Sequence, residues 1–407
     1  MGLAIAIRIN TMRRIIILIA AKMRRMFRIF AAIPFQAMVR YIYQYADWPR
    51  FSWDDKVFSS VFGEVRHLQG KMAGQMNALG FSIAGEAMLR TITMDVVKSS
   101  EIEGERLNYE QVRSSVARRL GMDVAGLLPA DRKVEGVVEM MLDATQNYEE
   151  PLTQERLFGW HSALFPSGHS GMHRIAVGGY RSGVMQIVSG TLGNEKVHYE
   201  AIAPAQVKQE MDRFLEWFNE EAGIDPVLKS AVAHFWFIII HPFDDGNGRM
   251  ARALSDLLLA RAERSPERFY SLSSQIMTER KRYYEVLQRV QYSRGDITEW
   301  INWFLHCLRD SLIEAEHTLQ NVLTKAKFWR IYDNSGLNSR QRLMLNKLMD
   351  GFEGKLTSSK WAKITKCSQD TALRDLKDLM EKGIVFQDKK GGRSTNYRLG
   401  FIMDDEE

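Results

Sequence analysis

Twelve residues near the middle of the chain combine a histidine, a carboxylate, closely spaced glycines and two arginines. The segment reads His241-Pro-Phe-Asp-Asp-Gly-Asn-Gly-Arg-Met-Ala-Arg252. The glycines let the backbone turn and expose its N–H groups, and the N-terminus of the helix that follows attracts anions. Arg249 and Arg252 are three residues apart and project from one helix face. Because Asp245 suits Mg²⁺ with phosphate oxygens and His241 can accept a proton, the segment predicts a magnesium–polyphosphate site with a base.

This segment resembles the signature of the Fic family, HPFxDGNGRxxR, and matches every fixed position. The resemblance implies transfer of AMP from ATP to a hydroxyl of a target protein, with Mg²⁺ as cofactor. His241 would take the proton from a Ser, Thr or Tyr, although spacing alone leaves it open as a covalent nucleophile. Asp245 would hold Mg²⁺ on the α- and β-phosphates. The implied phosphate ligands are Gly246, Asn247, Gly248, Arg249 for the β-phosphate and Arg252 for the γ-phosphate, and Phe243 would anchor the loop.

A second, shorter pattern lies upstream. Ser99-Ser-Glu-Ile-Glu103-Gly104 matches (S/T)xxxE(G/N) and resembles the inhibitory helix of Fic proteins, placed N-terminal to the core as in their class II arrangement. A carboxylate pairs bidentately with a guanidinium. Glu103 would therefore pair with Arg252, the residue expected to bind the γ-phosphate, and would border the ATP site. Ser and Glu also commonly begin helices, but upstream of a complete Fic signature we interpret Ser99, Glu103 and Gly104 as inhibitory.

Two further elements would border the nucleotide. The glycine-punctuated segment 184–200 predicts a β-hairpin and resembles the Fic flap, whose exposed edge would hold a target segment by strand addition. Its residues nearest the nucleotide would be Val197, His198, Tyr199 and Glu200. Beyond the signature, Tyr283, Tyr284 and Gln291 resemble the adenine-binding residues of similar Fic proteins, and aromatic faces suit a base. The alternative is that one of the two tyrosines belongs to the core.

Helical periodicity surrounds these residues and predicts a mainly α fold. The resemblance implies the all-helical Fic fold with a β-hairpin flap. We expect helices near 54–77, 84–98, 108–120, 132–148, 153–165, 204–221, 226–240, 249–264, 278–292 and 296–327.

The C-terminal residues 335–400 resemble a winged helix–turn–helix, with helices near 339–350, 358–364 and 368–382 and two β-like pieces. The last of these helices would enter a major groove of DNA. The wing would carry Lys389, Lys390, Gly391, Gly392, Arg393 and Arg398. Because Asp370, Asp375 and Asp378 weaken a positive face, DNA binding and docking to a protein remain equal alternatives for this end.

The length of 407 residues predicts several domains. We expect a basic extension at 1–37, an N-terminal helical domain with the inhibitory helix at 38–125, a Fic catalytic core at 130–328 and the winged helix at 335–400. The net charge of +5 comes from the extension, which holds seven basic residues and no acid, since the remainder has 48 basic and 50 acidic residues. The basic balance is therefore no sign that the folded body binds nucleic acid.

The extension itself contains no membrane-spanning segment, since its longest apolar stretch, 15–21, is far short of about 20 residues. Basic residues follow where a signal cleavage site belongs. We favour a translation start assigned too early, with Met38 as the true start, over a basic amphipathic helix on a membrane surface. Two cysteines without a CxxC pair predict a reducing compartment and a cytoplasmic protein.

These observations predict an autoinhibited protein adenylyltransferase that converts ATP and a protein hydroxyl into AMP-protein and pyrophosphate. One alternative is removal of AMP from a modified protein, with Glu103 positioning water. Another is a DNA-binding regulator whose Fic site has only a sensing role and no catalytic one. The intact Asp245 and both arginines favour a working catalyst. The expected partners are ATP and a target protein, while DNA binding and a homodimer stay open.

Overall fold

The computed structural model describes residues 6–9, 40–77, 81–122, 128–191, 194–220, 223–332, 334–349, 352, 354–388 and 395–400. These residues are mostly helical, which confirms the predicted mainly α fold class. The chain divides into two compact units, residues 1–315 and 316–407. Among the described residues, no helix combines the length and the apolar character needed to cross a bilayer.

The first unit is built from helices α1 to α10 and the beginning of α11. Their bounds are α1 (Asp55–Asn77), α2 (Phe81–Ile102), α3 (Tyr109–Arg119), α4 (Arg132–Gln146), α5 (Gln154–Leu164), α6 (Pro204–Asn219), α7 (Pro226–Ile240), α8 (Asn247–Glu263), α9 (Leu272–Thr278), α10 (Arg280–Val290) and α11 (Thr298–Tyr332). The short helix α9 was not predicted, because seven residues are too few to show a helical period.

Several helices begin at side-chain caps that the sequence already supplies. The side chains of Asn108, Asp131 and Thr153 each accept a hydrogen bond from the backbone N–H three residues on. Asp225 caps α7 at Val227, and Pro226 occupies the first helical position, where no N–H is needed. Such caps satisfy N–H groups that a helix start leaves without partners, so these boundaries were accessible from the sequence.

The strands lie around the predicted hairpin. Strands β4 (Met185–Thr191) and β5 (Asn194–Glu200) pair antiparallel, and β1 (Ala6–Ile9) pairs with the outer edge of β4. The hairpin itself was predicted, β1 occupies the outer edge of β4, and β5 is the edge strand of this three-stranded sheet. A second small hairpin, β2 (His169–Ser170) and β3 (His173–Arg174), was not predicted, since each strand has only two residues.

Helices α7 and α8 form the centre of the first unit. Helix α7 is buried on nearly every side, as its run of Ala, Val, Phe, Trp and Ile side chains predicts. Phe237, Phe243 and Leu254 are fully inaccessible to solvent. Burying one such side chain stabilises the fold by about 1.5–3 kcal/mol, and this packing fixes the loop 241–246 that joins the two helices.

The second unit contains the end of α11, then α12 (Ser339–Met349), α13 (Ser358–Thr365), α14 (Gln369–Glu381) and the antiparallel strands β6 (Val385–Gln387) and β7 (Tyr397–Leu399). Its core includes Phe328, Trp361 and Leu376. The element order is the one expected of a winged helix, which stays a prediction. Lys389, Lys390, Gly391, Gly392 and Arg393 of the expected wing lie outside the described residues.

Asp375, one of the acids counted against DNA binding, belongs to the interior of this unit. Its carboxylate accepts hydrogen bonds from Arg340 Nε at 2.8 Å and Asn338 Nδ2 at 2.9 Å. Although burial raises the pKa of Asp375, hydrogen bonds from Arg340 and Asn338 hold that pKa below its usual range. Asp375 therefore stabilises the unit and does not contribute to the outer face of α14.

A close approach of helices α4 and α5 yields a stability prediction. A Cβ at Gly136 would lie 1.7 Å from the carbonyl oxygen of Ala163, whereas a Cβ at Gly159, exposed on α5, would meet nothing within 4 Å. We expect Gly136→Ala to lower the free energy of unfolding by about 2 kcal/mol or more. Gly159→Ala should raise it by about 0.5–1 kcal/mol, as alanine favours a helix. Urea unfolding of both variants measures this, and a Gly136→Ala protein as stable as wild type would contradict the close approach.

Candidate functional site

Helix α7 ends in a left-handed turn at His241. The φ angle of His241 is 51°, and its N–H donates to Phe237 O at 2.9 Å. A positive φ is uncommon outside glycine and costs free energy that the surroundings must offset. Arg181, only 2% exposed, supplies that support. Its Nε donates to His241 O at 2.7 Å, and its backbone N–H donates to Pro242 O at 2.9 Å.

The His241 imidazole is held neutral. Burial, and after it the Arg181 charge, lowers the pKa of His241 to about 4. Its Nδ1 lies 3.3 Å from Ile238 O. Because a carbonyl oxygen only accepts, this contact places the imidazole proton on Nδ1 and leaves the lone pair on Nε2. The ring is therefore prepared to accept a proton at neutral pH.

The loop after His241 is closed by the side chain of Asn247. Its Oδ1 accepts from Phe243 N–H at 3.0 Å and its Nδ2 donates to Phe243 O at 2.9 Å. Both polar atoms of the Asn247 side chain are therefore used to close the loop. Only the backbone of Asn247 could contact an anion. Gly246 has a φ of 83°, where glycine is favoured, and a Cβ there would lie 2.9 Å from the Phe165 ring.

Asp245 presents its carboxylate beside this loop. One oxygen, Oδ1, accepts from Gly246 N–H at 2.5 Å, and the other, Oδ2, accepts from the Ser170 hydroxyl. His161 Nε2 lies 3.3 Å from Asp245 O, and the His161 ring stacks on Phe243 at 4.4 Å. Sequence reasoning missed Ser170 and His161, since neither belongs to a recognisable motif.

Glu103 reaches the N-terminus of α8 from the end of α2. Its Oε1 lies 2.8 Å from Arg252 Nη2. A Cβ at Gly248 would lie 2.1 Å from the same oxygen, so only glycine admits the carboxylate. The Glu103 carboxylate therefore lies where a helix N-terminus attracts a phosphate.

Ser99 completes the surroundings of Arg252. Arg252 Nε donates to Ser99 Oγ at 2.9 Å, and its Nη2 donates to Ser99 O at 2.7 Å. The arginine is 1% exposed. Although burial lowers the pKa of Arg252, Glu103, Tyr283 and Tyr284 together raise it above its usual range. The structure thus brings together Ser99, Glu103 and Arg252 as the sequence predicted, while their inhibitory role stays a prediction.

Arg249 has an acidic partner that the sequence reasoning missed. Its Nη1 lies 2.8 Å from Glu105 Oε2, and its guanidinium packs over the Phe165 ring at 5.1 Å. Glu105 is two residues beyond Glu103, across Gly104. The Glu-Gly-Glu spacing could have predicted this second carboxylate, because a turn at glycine can direct two nearby carboxylates to one side.

The predicted adenine residues have other partners in this structure. Tyr283 is 1% exposed, and its hydroxyl lies 3.0 Å from His234 Nε2. Gln291 Nε2 donates to His198 O at 2.9 Å, so Gln291 holds the hairpin. Tyr284 packs against Tyr283 with their ring centroids 4.9 Å apart, and burial, followed by the Glu103 charge, raises its pKa. Tyr283 thus follows the alternative of a core tyrosine, and the adenine roles stay predictions.

The four hairpin residues face different directions. Val197 is 42% exposed and Glu200 is also exposed. His198 is half-buried beneath Gln291 and Tyr292, whose hydroxyl donates to His198 O at 2.9 Å. Tyr199 is buried, and its hydroxyl donates to Ile239 O. Tyr199 therefore fastens the hairpin to α7. Val197 and Glu200 are the two exposed residues of the four, and the Glu200 carboxylate accepts from Gln186 Nε2 at 2.6 Å.

Comparisons with known proteins match two parts of this chain to known families. Residues 151–259 match the Fic/DOC family, and residues 41–122 match a domain of unknown function, DUF4172. Protein adenylyltransferase fic-1 of Caenorhabditis elegans is 28% identical over 194 residues, 46% of this chain and 36% of that protein. Protein adenylyltransferase Fic of Nematostella vectensis is 26% identical over 219 residues, 52% of this chain and 46% of that protein. The chain thus spans less than half the length of these relatives.

Solved structures with similar architecture include a Fic family protein from Desulfovibrio desulfuricans, with a TM-score of 0.48 and 23% identity over 86% of this chain and 98% of that one. Fic-1 of C. elegans has a TM-score of 0.47 and 21% identity over 65% of this chain and 74% of that one. The family match spans the whole loop from His241 to Arg252 with its supporting helices. By that match, residues 151–259 of this chain form a Fic/DOC domain.

Proposed function

We propose that the chain is a protein adenylyltransferase that transfers AMP from ATP to a protein hydroxyl and is held inactive by Glu103. The observation that carries this proposal is a neutral His241 next to a helix N-terminus bearing two buried arginines. The names of the relatives support the same activity. A phosphate chain on α8 would bring its α-phosphate close to the base, and this arrangement suits nucleotidyl transfer.

In the proposed reaction, His241 Nε2 accepts the proton of the acceptor hydroxyl. The oxygen forms a bond to the α-phosphorus as the bond between that phosphorus and the α,β-bridging oxygen breaks. Pyrophosphate leaves with the bonding electrons, and the product is AMP-protein. The residues stabilise this step by position and charge, with Arg249 on the β-phosphate, Arg252 on the γ-phosphate and backbone N–H groups on the phosphate oxygens.

The donor set fits magnesium. Each Asp245 oxygen accepts one hydrogen bond and keeps a further lone pair. Among the described residues, no group of three or more His, Cys, Asp or Glu side chains forms a metal cage. Mg²⁺ is usually held by one or two carboxylates together with phosphates and waters. Asp245 would therefore hold the ion, which supplies charge neutralisation of the phosphates when bound.

Removal of AMP from a modified protein is the second candidate function. The Glu103 carboxylate lies close enough to the base to affect the pKa of His241, and its side chain is 27% exposed. A carboxylate next to a base can orient an attacking water. The two functions share His241 but make opposite use of Glu103, so a Glu103 variant separates them.

Replacement of Glu103 should release the transferase. We expect Glu103→Gly to raise label incorporation from α-labelled ATP, on itself and on lysate, by about tenfold or more, because misplacement of reacting atoms by about 1 Å costs about a hundredfold. Adding Arg252→Ala should cancel the gain, since Arg252 is needed for catalysis as well as for inhibition. Glu101→Gly, also near the end of α2, is the matched control. No gain in Glu103→Gly would refute inhibition, and loss of AMP removal from a modified protein would favour the second candidate.

Replacement of the base should stop transfer without releasing nucleotide. In the Glu103→Gly background, His241→Ala should abolish label incorporation while ATP binding stays largely unchanged, because the imidazole acts on the hydroxyl and not on the phosphates. His67→Ala, an exposed histidine on α1, should leave incorporation unchanged. Equilibrium binding of ATP and label incorporation are measured on the same preparations. Undiminished transfer by the His241→Ala protein would exclude this residue as the base.

The pH profile should reveal the lowered pKa of the base. Transfer needs neutral His241, so the rate falls as pH drops through its pKa of about 4. In Glu103→Gly, the rate should stay level from neutral pH to about pH 5 and fall near pH 4 or below, since Glu103 raises this pKa. An ordinary histidine would halve the rate already at pH 6.5. Circular dichroism at each pH checks folding, and a midpoint near 6.5 would contradict the buried, neutral imidazole.

A further inference from the structure

The second carboxylate at the α8 N-terminus, Glu105, is bound to the arginine proposed for the β-phosphate. Arg249 is 5% exposed in its side chain, and its Nη1 lies 2.8 Å from Glu105 Oε2. Within the described part of the chain, Arg249 Nε is buried with no hydrogen-bond partner. A charge-assisted hydrogen bond to a buried guanidinium is among the stronger polar contacts in proteins. Glu105 is therefore a strong competitor for any anion that approaches Arg249.

The turn at the end of α2 places this carboxylate. Gly104 has a φ of 87°, and a Cβ there would meet nothing within 4 Å, so glycine is required by conformation and not by space. Glu105 N–H donates to Ser100 O at 3.0 Å, which reverses the chain. The reversal directs Glu103 to Arg252 and Glu105 to Arg249, so one turn covers both arginines.

The two carboxylates exclude different phosphates. A γ-phosphate competes with Glu103 for Arg252, and a β-phosphate competes with Glu105 for Arg249. An α-phosphate needs neither arginine. Like charges placed together are strongly unfavourable in a site of low dielectric, so a second phosphate beside Glu105 would be repelled while the Arg249 pair persists.

We propose that Glu105 is a specificity-determining residue. While it is paired with Arg249, it limits the site to a nucleoside monophosphate and excludes the β-phosphate of di- and triphosphates. This inference rests on the proposed function, because it takes Arg249 as the β-phosphate ligand. Lys133 Nζ lies 3.4 Å from Glu105 Oε1 and is largely exposed. Lys133 gives Glu105 an alternative partner, so the carboxylate can leave Arg249 and admit ADP or ATP.

Binding of AMP and ADP tests this inference without any turnover. Calorimetry of the full chain with Mg²⁺ measures both dissociation constants in wild type, Glu105→Gln, Glu103→Gln and the control Glu110→Gln, which changes an exposed glutamate on α3. Glutamine keeps the shape and removes the charge. We expect Glu105→Gln to bind ADP about tenfold tighter relative to AMP, the change of one freed charge-assisted hydrogen bond. Glu103→Gln and Glu110→Gln should leave the ADP-to-AMP ratio near that of wild type.

The outcomes separate this inference from the function on which it rests. If AMP and ADP bind but Glu105→Gln and Glu105→Ala both keep the wild-type ratio, Glu105 does not determine specificity, and the transferase proposal stands. An equal gain in the ratio for Glu103→Gln would likewise overturn the separate assignment of the two carboxylates. If neither nucleotide binds to any variant, both the inference and the nucleotide site are wrong.

Discussion

The arginines on the first turns of α8 must be matched by negative charge whether or not a nucleotide is bound. Arg249 and Arg252 are 4% and 1% exposed, and an unpaired buried charge costs several kcal/mol. Glu103 and Glu105 meet this need from the end of α2. The same ion pairs therefore stabilise the fold and would exclude the proposed substrate, so the proposed autoinhibition would follow from burying the arginines proposed as phosphate ligands.

The loop between α7 and α8 combines structural and chemical roles in the same atoms. Arg181 holds the carbonyls of the left-handed turn, and its charge also helps to keep His241 neutral. The Asn247 side chain closes the loop, which leaves the backbone N–H groups facing outward at the helix start. A change that loosens the turn would thus alter the position of His241 and the start of α8 together.

Short contiguous patterns made the centre of this site predictable. The residues that reach it by long-range packing could not be predicted from the sequence. The loop 241–252 and Glu103 carry their chemistry in a fixed local spacing. Ser170 and His161 reach Asp245 from 75 and 84 residues away, and no local spacing reports such contacts. Tyr283 illustrates the reverse limit, because its position in the sequence left both an adenine contact and a core role open, and the structure buries it against His234. Helices followed from apolar periodicity, whereas α9 and the β2–β3 hairpin were too short to show one.

The burial of α2 indicates how Glu103 and Glu105 can leave Arg252 and Arg249. Ser99 and Ser100 are fully buried, and Asp95 accepts from Ser271 Oγ at 2.5 Å and Ser273 N–H at 3.0 Å, which ties α2 to α9. Moving the helix would break these bonds and expose apolar core. The side chains of Glu103 and Glu105 are instead 27% and 29% exposed, and rotating two side chains costs far less free energy than undocking a helix. A nucleotide at the proposed site would therefore compete for the arginines locally, without undocking α2.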